Sequence, residues 1–426
     1  MLTDAERKAR LEAATPNDPI PAFSRDRQRI LASDVFRRLG GVTQVTTDLG
    51  ESQLLYNRLT HSLRVGQIGR MITEGLVRNW PHENLAPPNA DVVEAAGLAH
   101  DLGHPPFGHI GEQALDQLAL EENLDGYEGN AQTFRIVTKL ATNTQGSHGL
   151  NLTRATLNAV LKYPWFRRAD GLAARKWSSY QSESAYFEFA RLGYEDDLPS
   201  VEAQIMDWAD DIAYSSHDFF DFYRAGMLDA SALSGGNRRA LLELLEAASK
   251  KLDKVPEEGW LESFLETFFY GFPGRYEGRP TERQALHQLL SRLTSTFMEA
   301  VAVSGDGQLD VSAEVASAVA LLKAVTITQV IQRPQLTLNQ EGQRRTLIEL
   351  YAALQEWSSK HTVSNYPPLL QEMFEASESE QRAYSAKLVK ARALIDYIAM
   401  LTDREAAHLL ERLTGRYFHS LGGWLR

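Results

Sequence analysis

A chain of 426 residues has room for one large domain or two ordinary ones and can bury a substantial apolar core. Its composition, 43% hydrophobic and 23% charged, is that of a soluble globular protein, and a formal net charge of −12 excludes a broad electrostatic footprint for duplex nucleic acid. Cysteine is absent, which rules out disulfides, thiolate zinc sites and cysteine nucleophiles and leaves His, Asp and Glu as the strong metal ligands.

Residues 1–30 read as a mobile charged arm in which Pro16, Pro19 and Pro21 discourage a long helix. The opening MLTDAERKARLEAATPNDP lacks the apolar region of a secretory signal, and no run in the chain approaches the ~20 apolar residues of a spanning helix, so a cytoplasmic protein is expected. From residue 31 to 426 a single helical domain is expected, with a core over about 31–235 and a C-terminal helical portion over about 236–426. Apolar residues recur every three to four positions in 54–80 (Leu55, Leu59, Leu63, Ile68, Ile72 and Leu76), and 92–100 and 201–223 repeat the pattern. One stretch, VTITQVIQRPQLTLNQEG (325–342), has strand character, and Arg333-Pro334 is the expected turn of a small β-hairpin; GDGQLD (305–310) reads as a loop. The fold class is all-α.

The chemistry concentrates in LAHDLGHPPFGHIGE, which holds three of the chain's 11 histidines between residues 98 and 112. The apolar run before His100 predicts a helix that Pro105-Pro106 must end, because a residue preceding proline is driven out of the α region. His100 and Asp101 therefore fall on a last helical turn and can share one ion only in a notch at that helix end. Beyond the prolines, Pro106 suits a first helical position, and His109 and Glu112 are three apart on one face, a pairing in which the carboxylate fixes the imidazole tautomer of a proton carrier.

Two further segments join it. In NRLTHSL, His61 stands on the apolar face of its helix with Arg58 one turn earlier; the alternative is a satisfied core histidine. In MDWADDIAYSSHD, Asp207, Asp210, Tyr214 and Asp218 recur at three, four and four and form one stripe beside Ala209, Ile212 and Ala213. A buried acidic stripe requires a cation or strong donors next to it, and the alternative is a solvated acidic face. His61, His100, Asp101 and Asp210 together make a set of neutral nitrogens and hard oxygens for one divalent ion, Mn, Mg, Co, Fe or Ni rather than structural zinc.

The order H, HD, D resembles the HD-domain phosphohydrolases, and HDLGHPPFGHIGE with DWADDIAY resembles their deoxynucleoside triphosphate triphosphohydrolase branch. FRRLGGVTQV (36–45), NRLTHSLRV (57–65), YEGNAQTFRI (127–136), LKYPWFR (161–167) and DYIAMLTDREA (396–406) are similar to further blocks of its bacterial dGTPase-like members. The resemblance implies His61, His100, Asp101 and Asp210 as metal ligands, His109 as the catalytic histidine and Glu112 as its partner. It places Gln44 near the deoxyribose 3′-hydroxyl, Arg58 and Lys162 at phosphates, and Tyr214 and Asp218 at the sugar. Val42 departs from the lysine often found before Thr-Gln in that first block. His104 stands where some members have asparagine, as a catalytic group or as a turn-stabilising one.

The implied reaction is attack of water on the α-phosphorus of a dNTP, releasing deoxynucleoside and tripolyphosphate. Homo-oligomerisation, an activating dNTP and, in some relatives, single-stranded DNA binding are implied with it; no membrane partner is expected. The rival readings are another HD-type nucleotide phosphohydrolase, a 5′-nucleotidase or phosphodiesterase, and a non-catalytic dNTP sensor.

Overall fold

The computed structural model describes residues 2–12, 18–43, 57–83, 85–142, 149–194, 197–235, 238–249, 259–331, 334–378 and 385–416; Gln44 lies outside them. Helices form the architecture, as the periodicity predicts. Among the described residues the only ladder is a two-stranded antiparallel ribbon that pairs Val301–Val303 with Leu309–Val311.

That hairpin is not where strand propensity placed it. Residues 325–331 continue the helix Ala313–Thr326 through a π-helical turn at Ile327–Ile331, and a new helix, Pro334–Ser359, starts at the expected turn. Val325 and Val330 are fully buried and Thr326 Oγ1 bonds back to Leu322 O at 3.3 Å, so tertiary burial overrides the β-branched preference. Pro334 takes a first helical position, where its missing N–H costs nothing. The first four residues of GDGQLD are the tip of the real hairpin, with Gly307 at φ 81°, while Leu309 and Asp310 pair in its second strand. The window Ala313–Val330 is long and apolar enough to cross a membrane, yet 61% of it is buried inside the protein, as in a core helix.

The arm expected over residues 1–30 is also corrected: its described parts are docked. Thr3 caps a short helix, Asp4–Lys8, and Pro21 precedes a second helix, Ala22–Ala32, that buries Phe23, Asp26 and Ile30. Asp26 accepts from Arg10 Nη1 at 2.6 Å, Thr153 N at 2.9 Å and Thr153 Oγ1 at 2.6 Å. Three donors are what a fully buried carboxylate requires.

Two large apolar clusters and a small third one, Ala131 with Trp177 and Tyr180, make up the interior of the described residues. One large cluster gathers Phe23, Ile30, Leu98, Leu102, Phe134, Leu347, Leu394 and Ile398; the other gathers Val65, Ile68, Ile72, Val93, Ile205, Ile212, Phe219 and Leu321. Three helices run along their seam: Arg58–Arg78, which carries His61; Ala90–Ala99, which ends at His100; and Val201–Ile212, which carries Asp210. Neighbouring residues of the Ala90–Ala99 helix face opposite cores, Val92 one and Val93 the other. The His61 helix starts at Asn57, whose side chain accepts from Thr60 N at 3.0 Å. Its buried face runs through His61, Val65, Ile68 and Ile72, while Leu63, expected in the core, is 44% exposed.

Candidate active site

The His61 and His100 helices touch backbone to backbone. A Cβ on Gly97 would lie 2.8 Å from both Cα and N of Gly66, so the crossing admits glycine only. Gly97 is one turn before His100 and Gly66 just over one turn after His61, and the contact sets the two imidazoles with ring centroids 5.5 Å apart. Gly97→Ala is expected to cost about 1–3 kcal/mol of stability through forced separation and to weaken divalent-ion binding, as read by thermal unfolding and chelator competition.

Within this notch His61 Nε2 lies 3.0 Å from Asp210 Oδ1, and His100 Nε2 lies 3.8 Å from that same oxygen and 3.5 Å from Asp101 Oδ1. The structure thus brings His61, His100, Asp101 and Asp210 together from three segments. His100 Nδ1 is taken up by Gly97 O at 2.7 Å, which leaves Nε2 aimed into the notch, buried and without a hydrogen-bond partner among the described residues. An orphaned imidazole nitrogen flanked by two carboxylate oxygens fits a divalent cation. Asp211 points elsewhere, pairing with Lys323.

Two members of the expected acidic stripe, Asp210 and Asp218, meet the same imidazole. The helix ends at Ile212 and gives way to a π-helical turn, Ala213–Asp218, which carries Asp218 to the opposite side of His61 from Asp210. Asp218 Oδ2 lies 3.6 Å from His61 Nδ1; Asp218 is fully buried, and neither of its oxygens has a hydrogen-bond donor among the described residues. Burial, with Asp221 nearby, pushes its carboxyl well above the usual range. Tyr214, on the same turn, is half-buried; its hydroxyl is pushed up to about 12 by burial and Asp210, and Lys323 Nζ stands 5.9 Å from its ring centre.

Both cations expected at phosphates are already paired. Arg58 donates through Nη1 to Asp101 Oδ2 at 2.8 Å, and its buried Nε and Nη2 have no hydrogen-bond partner among the described residues. Lys162 sits between Asp207 and Asp210, 3.4 Å from Asp210 Oδ2. Burial opposes the Lys162 ammonium, but Asp207 and Asp210 outweigh it and hold its pKa well above the usual lysine range. Burial likewise opposes ionisation of Asp101 and Asp210, and the neighbouring cations prevail: Arg58 keeps Asp101 ionised, and Lys162 with the His61 bond keeps Asp210 ionised.

Beside the notch, His109 Nδ1 lies 2.9 Å from Glu112 Oε2 while the histidine side chain is 67% exposed, so Nε2 is free to meet a ligand. The helix bearing them, Gly108–Glu121, begins two residues later than the sequence predicts, after Phe107 at φ 65° rather than at Pro106. His104 packs edge-on to His109 at 5.3 Å, with Nδ1 2.9 Å from Asp101 Oδ1. Burial and Arg58 push His104 down to about 4, so it is neutral at neutral pH, and it lies between the Asp101 carboxylate and the His109 ring.

Three residues of this region escaped the sequence reading. Lys176 reaches Glu128 Oε1 at 2.8 Å and Glu112 Oε1 at 3.5 Å, and no motif or spacing singles it out. Glu128, which caps the following helix, and Asp403, whose Thr402-Asp403 pair reads as an ordinary helix start, both lie in blocks that carried the resemblance without a role. Asp403 accepts from Phe107 N at 2.8 Å and Thr43 N at 3.1 Å, tying the residue before Gln44 to the turn before His109.

Comparison with known families and proteins gives the chain's relatives. Residues 58–215 match the HD domain, and residues 309–412 match the phosphohydrolase-associated domain. A deoxyguanosinetriphosphate triphosphohydrolase-like protein of Streptomyces coelicolor is 36% identical over 424 residues, covering 92% of this chain and 93% of the relative. One from Corynebacterium glutamicum strain R is 34% identical over 414 residues, covering 93% and 91%. Another from Geobacter sulfurreducens is 36% identical over 248 residues, 58% of this chain and 57% of its own.

Proposed function

This chain belongs to the deoxyguanosinetriphosphate triphosphohydrolase-like family of HD-domain phosphohydrolases, and from that premise we propose that it hydrolyses dNTPs, dGTP-like substrates first, to deoxynucleoside and tripolyphosphate. The observation that carries the reading is the convergence of His61, His100, Asp101 and Asp210 around an unpartnered His100 Nε2, with an imidazole–carboxylate couple alongside. When bound there, a divalent ion supplies Lewis acidity toward an α-phosphate oxygen and makes water nucleophilic near neutral pH.

The chain's own groups do the rest. Glu112 accepts from His109 Nδ1–H, so Nε2 is the atom that takes a proton from the attacking water and passes it to the leaving 5′-oxygen. Burial opposes its charge, but the His109 bond with His104 and Lys176 keeps Glu112 ionised far below the usual glutamate range. Its contribution to stability is therefore present above the ordinary glutamate pKa and lost as pH falls through the depressed value. Arg58 and Lys162 offset negative charge developing on the tripolyphosphate, Lys162 through the ammonium it now shares with Asp207 and Asp210. Gln44 and Asp218 receive the sugar, whose hydroxyl would satisfy the donorless Asp218 carboxyl, and Tyr214 crowds the 2′ position so that GTP turns over more slowly than dGTP.

The deciding experiment incubates the chain, reconstituted with Mn²⁺ or Mg²⁺, with each dNTP alone and in mixtures. Tripolyphosphate with deoxynucleoside is the expected product pair. Orthophosphate released from dGMP, or tight dNTP binding without turnover under every metal and mixture, overturns the assignment. The mixtures also test activation by a second dNTP, and sedimentation tests the homo-oligomer.

A further inference from the structure

The HD turn, residues 100–104, leaves the helix end with its backbone polar groups pointing away from the notch, and one segment behind it takes up most of them. Thr133 Oγ1 accepts from Gly103 N at 2.8 Å and donates to His100 O at 3.0 Å. Tyr127 OH donates to Gly103 O at 2.6 Å. Arg38 Nη2 holds Leu102 O at 2.7 Å and His104 O at 2.9 Å, while Asp101 O accepts from His104 N at 3.1 Å within the turn. Thr133 is 1% exposed and Tyr127 2%, so no water substitutes for either hydroxyl without a shift of the fold. Gly103 completes the fit: a Cβ there would lie 2.1 Å from Gly129 O and 2.3 Å from Thr133 N.

The same segment also grips the acid–base couple. Gly129 N donates to Glu112 Oε1 at 2.9 Å, four residues before Thr133 and on the same helix, Gly129–Arg135. Farther along, Gln132 Nε2 donates to Asp396 Oδ1 at 2.9 Å and Arg135 Nε to Asp396 Oδ2 at 2.9 Å, all three residues fully buried. A helix anchored at its far end by a buried ion pair is a rigid element of the kind that can hold a metal ligand and a proton carrier at fixed spacing.

We propose that Thr133 is a positioning residue of this site: its single hydroxyl, bridging His100 O and Gly103 N, fixes the turn that presents His100 and Asp101, while its helix fixes Glu112. Thr133 touches neither the ion nor the nucleotide. The inference rests on the metal-centre reading above and deepens it, assigning the site's geometry to a helix outside the ligand segments.

The test compares full-length wild type, T133V, T133S and Y127F. Mn²⁺ affinity is read by chelator competition and by the Mn²⁺ EPR signal, and kcat and KM are read for dGTP at saturating metal. Removing a group that orients ligands characteristically lowers metal affinity by about 10–100-fold, so T133V is expected to lose at least about tenfold in Mn²⁺ affinity and to lower kcat more than it raises KM. T133S, which keeps the hydroxyl, is expected to restore both. T133V that binds Mn²⁺ and turns over like wild type overturns the proposal, as does T133S as impaired as T133V, which would assign the effect to the methyl group. Should T133V fail to fold, Y127F carries the comparison: weakened Mn²⁺ binding supports the brace, and wild-type binding overturns it. A wild type that binds no divalent ion overturns the metal-centre reading and this one together, whereas metal-binding wild type with an unchanged T133V overturns this one alone.

Discussion

Asp210→Ala is expected to abolish divalent-ion binding and reduce dNTP turnover to background. Among the described residues Asp210 Oδ1 is the one carboxylate oxygen within 4 Å of both imidazoles, 3.0 Å from His61 Nε2 and 3.8 Å from His100 Nε2, and its loss leaves two nitrogens and the single carboxylate of Asp101. Asp101 is itself engaged by Arg58 and His104, so it cannot swing to compensate. A bound metal contributes several kcal/mol to the barrier, which at about 1.4 kcal/mol per decade is roughly a thousandfold or more in rate. Asp211→Asn is the matched control. That carboxylate faces Lys323, so metal affinity should stay within about threefold of wild type, a change worth under ~1 kcal/mol. Isothermal titration with Mn²⁺ on both variants decides between them, and equal losses would show that the acidic pair acts as a unit.

His109→Ala should separate binding from chemistry. The ring is exposed, its Nδ1 is held by Glu112 and none of the four ligand groups depends on it, so metal affinity is expected to match wild type. Turnover should fall by about 10²–10⁴-fold, the usual contribution of a positioned proton carrier. Glu112→Gln is expected to give a smaller loss, because an amide oxygen still accepts from Nδ1–H but no longer stabilises the imidazolium. The same variant gives a pH test. Wild type should lose stability as pH falls below about 4.5, the ordinary glutamate value, because the unfolded chain takes up a proton that folded Glu112 resists. Glu112→Gln should flatten that part of the curve in urea titrations at successive pH values. A slope identical to wild type would remove Glu112 from the account.

Why the site was readable and parts of the fold were not follows from the range of the forces involved. His100 and Asp101 sit at a helix end because two prolines follow within five residues, and His109 faces Glu112 because three residues make most of a turn. Both facts are local, and the chain records them locally. Between Asp210 and Asp218, which flank one imidazole, the chain passes through a π-helical turn, whereas spacing arguments assume 3.6 residues per turn throughout. The misplaced hairpin has the same origin. Valine and threonine in 325–331 carry strand propensity worth at most about 1 kcal/mol in total scale, and burying Val325 and Val330 in a helical core outweighs it. Thr133 had no signature at all, since a hydroxyl that serves two distant backbone atoms looks like any other threonine.

What the sequence by itself determined is the helical class, the HD turn and the identity of the donor atoms, because helix periodicity, proline stereochemistry and ligand chemistry act within a few residues. Tertiary structure alone decided that Arg58 and Lys162 are paired with acids and that the N-terminal residues are docked. Those outcomes turn on the Gly66–Gly97 crossing and on buried charges finding partners up to hundreds of residues away, contacts whose energy depends on separation in space and leaves no period in the chain.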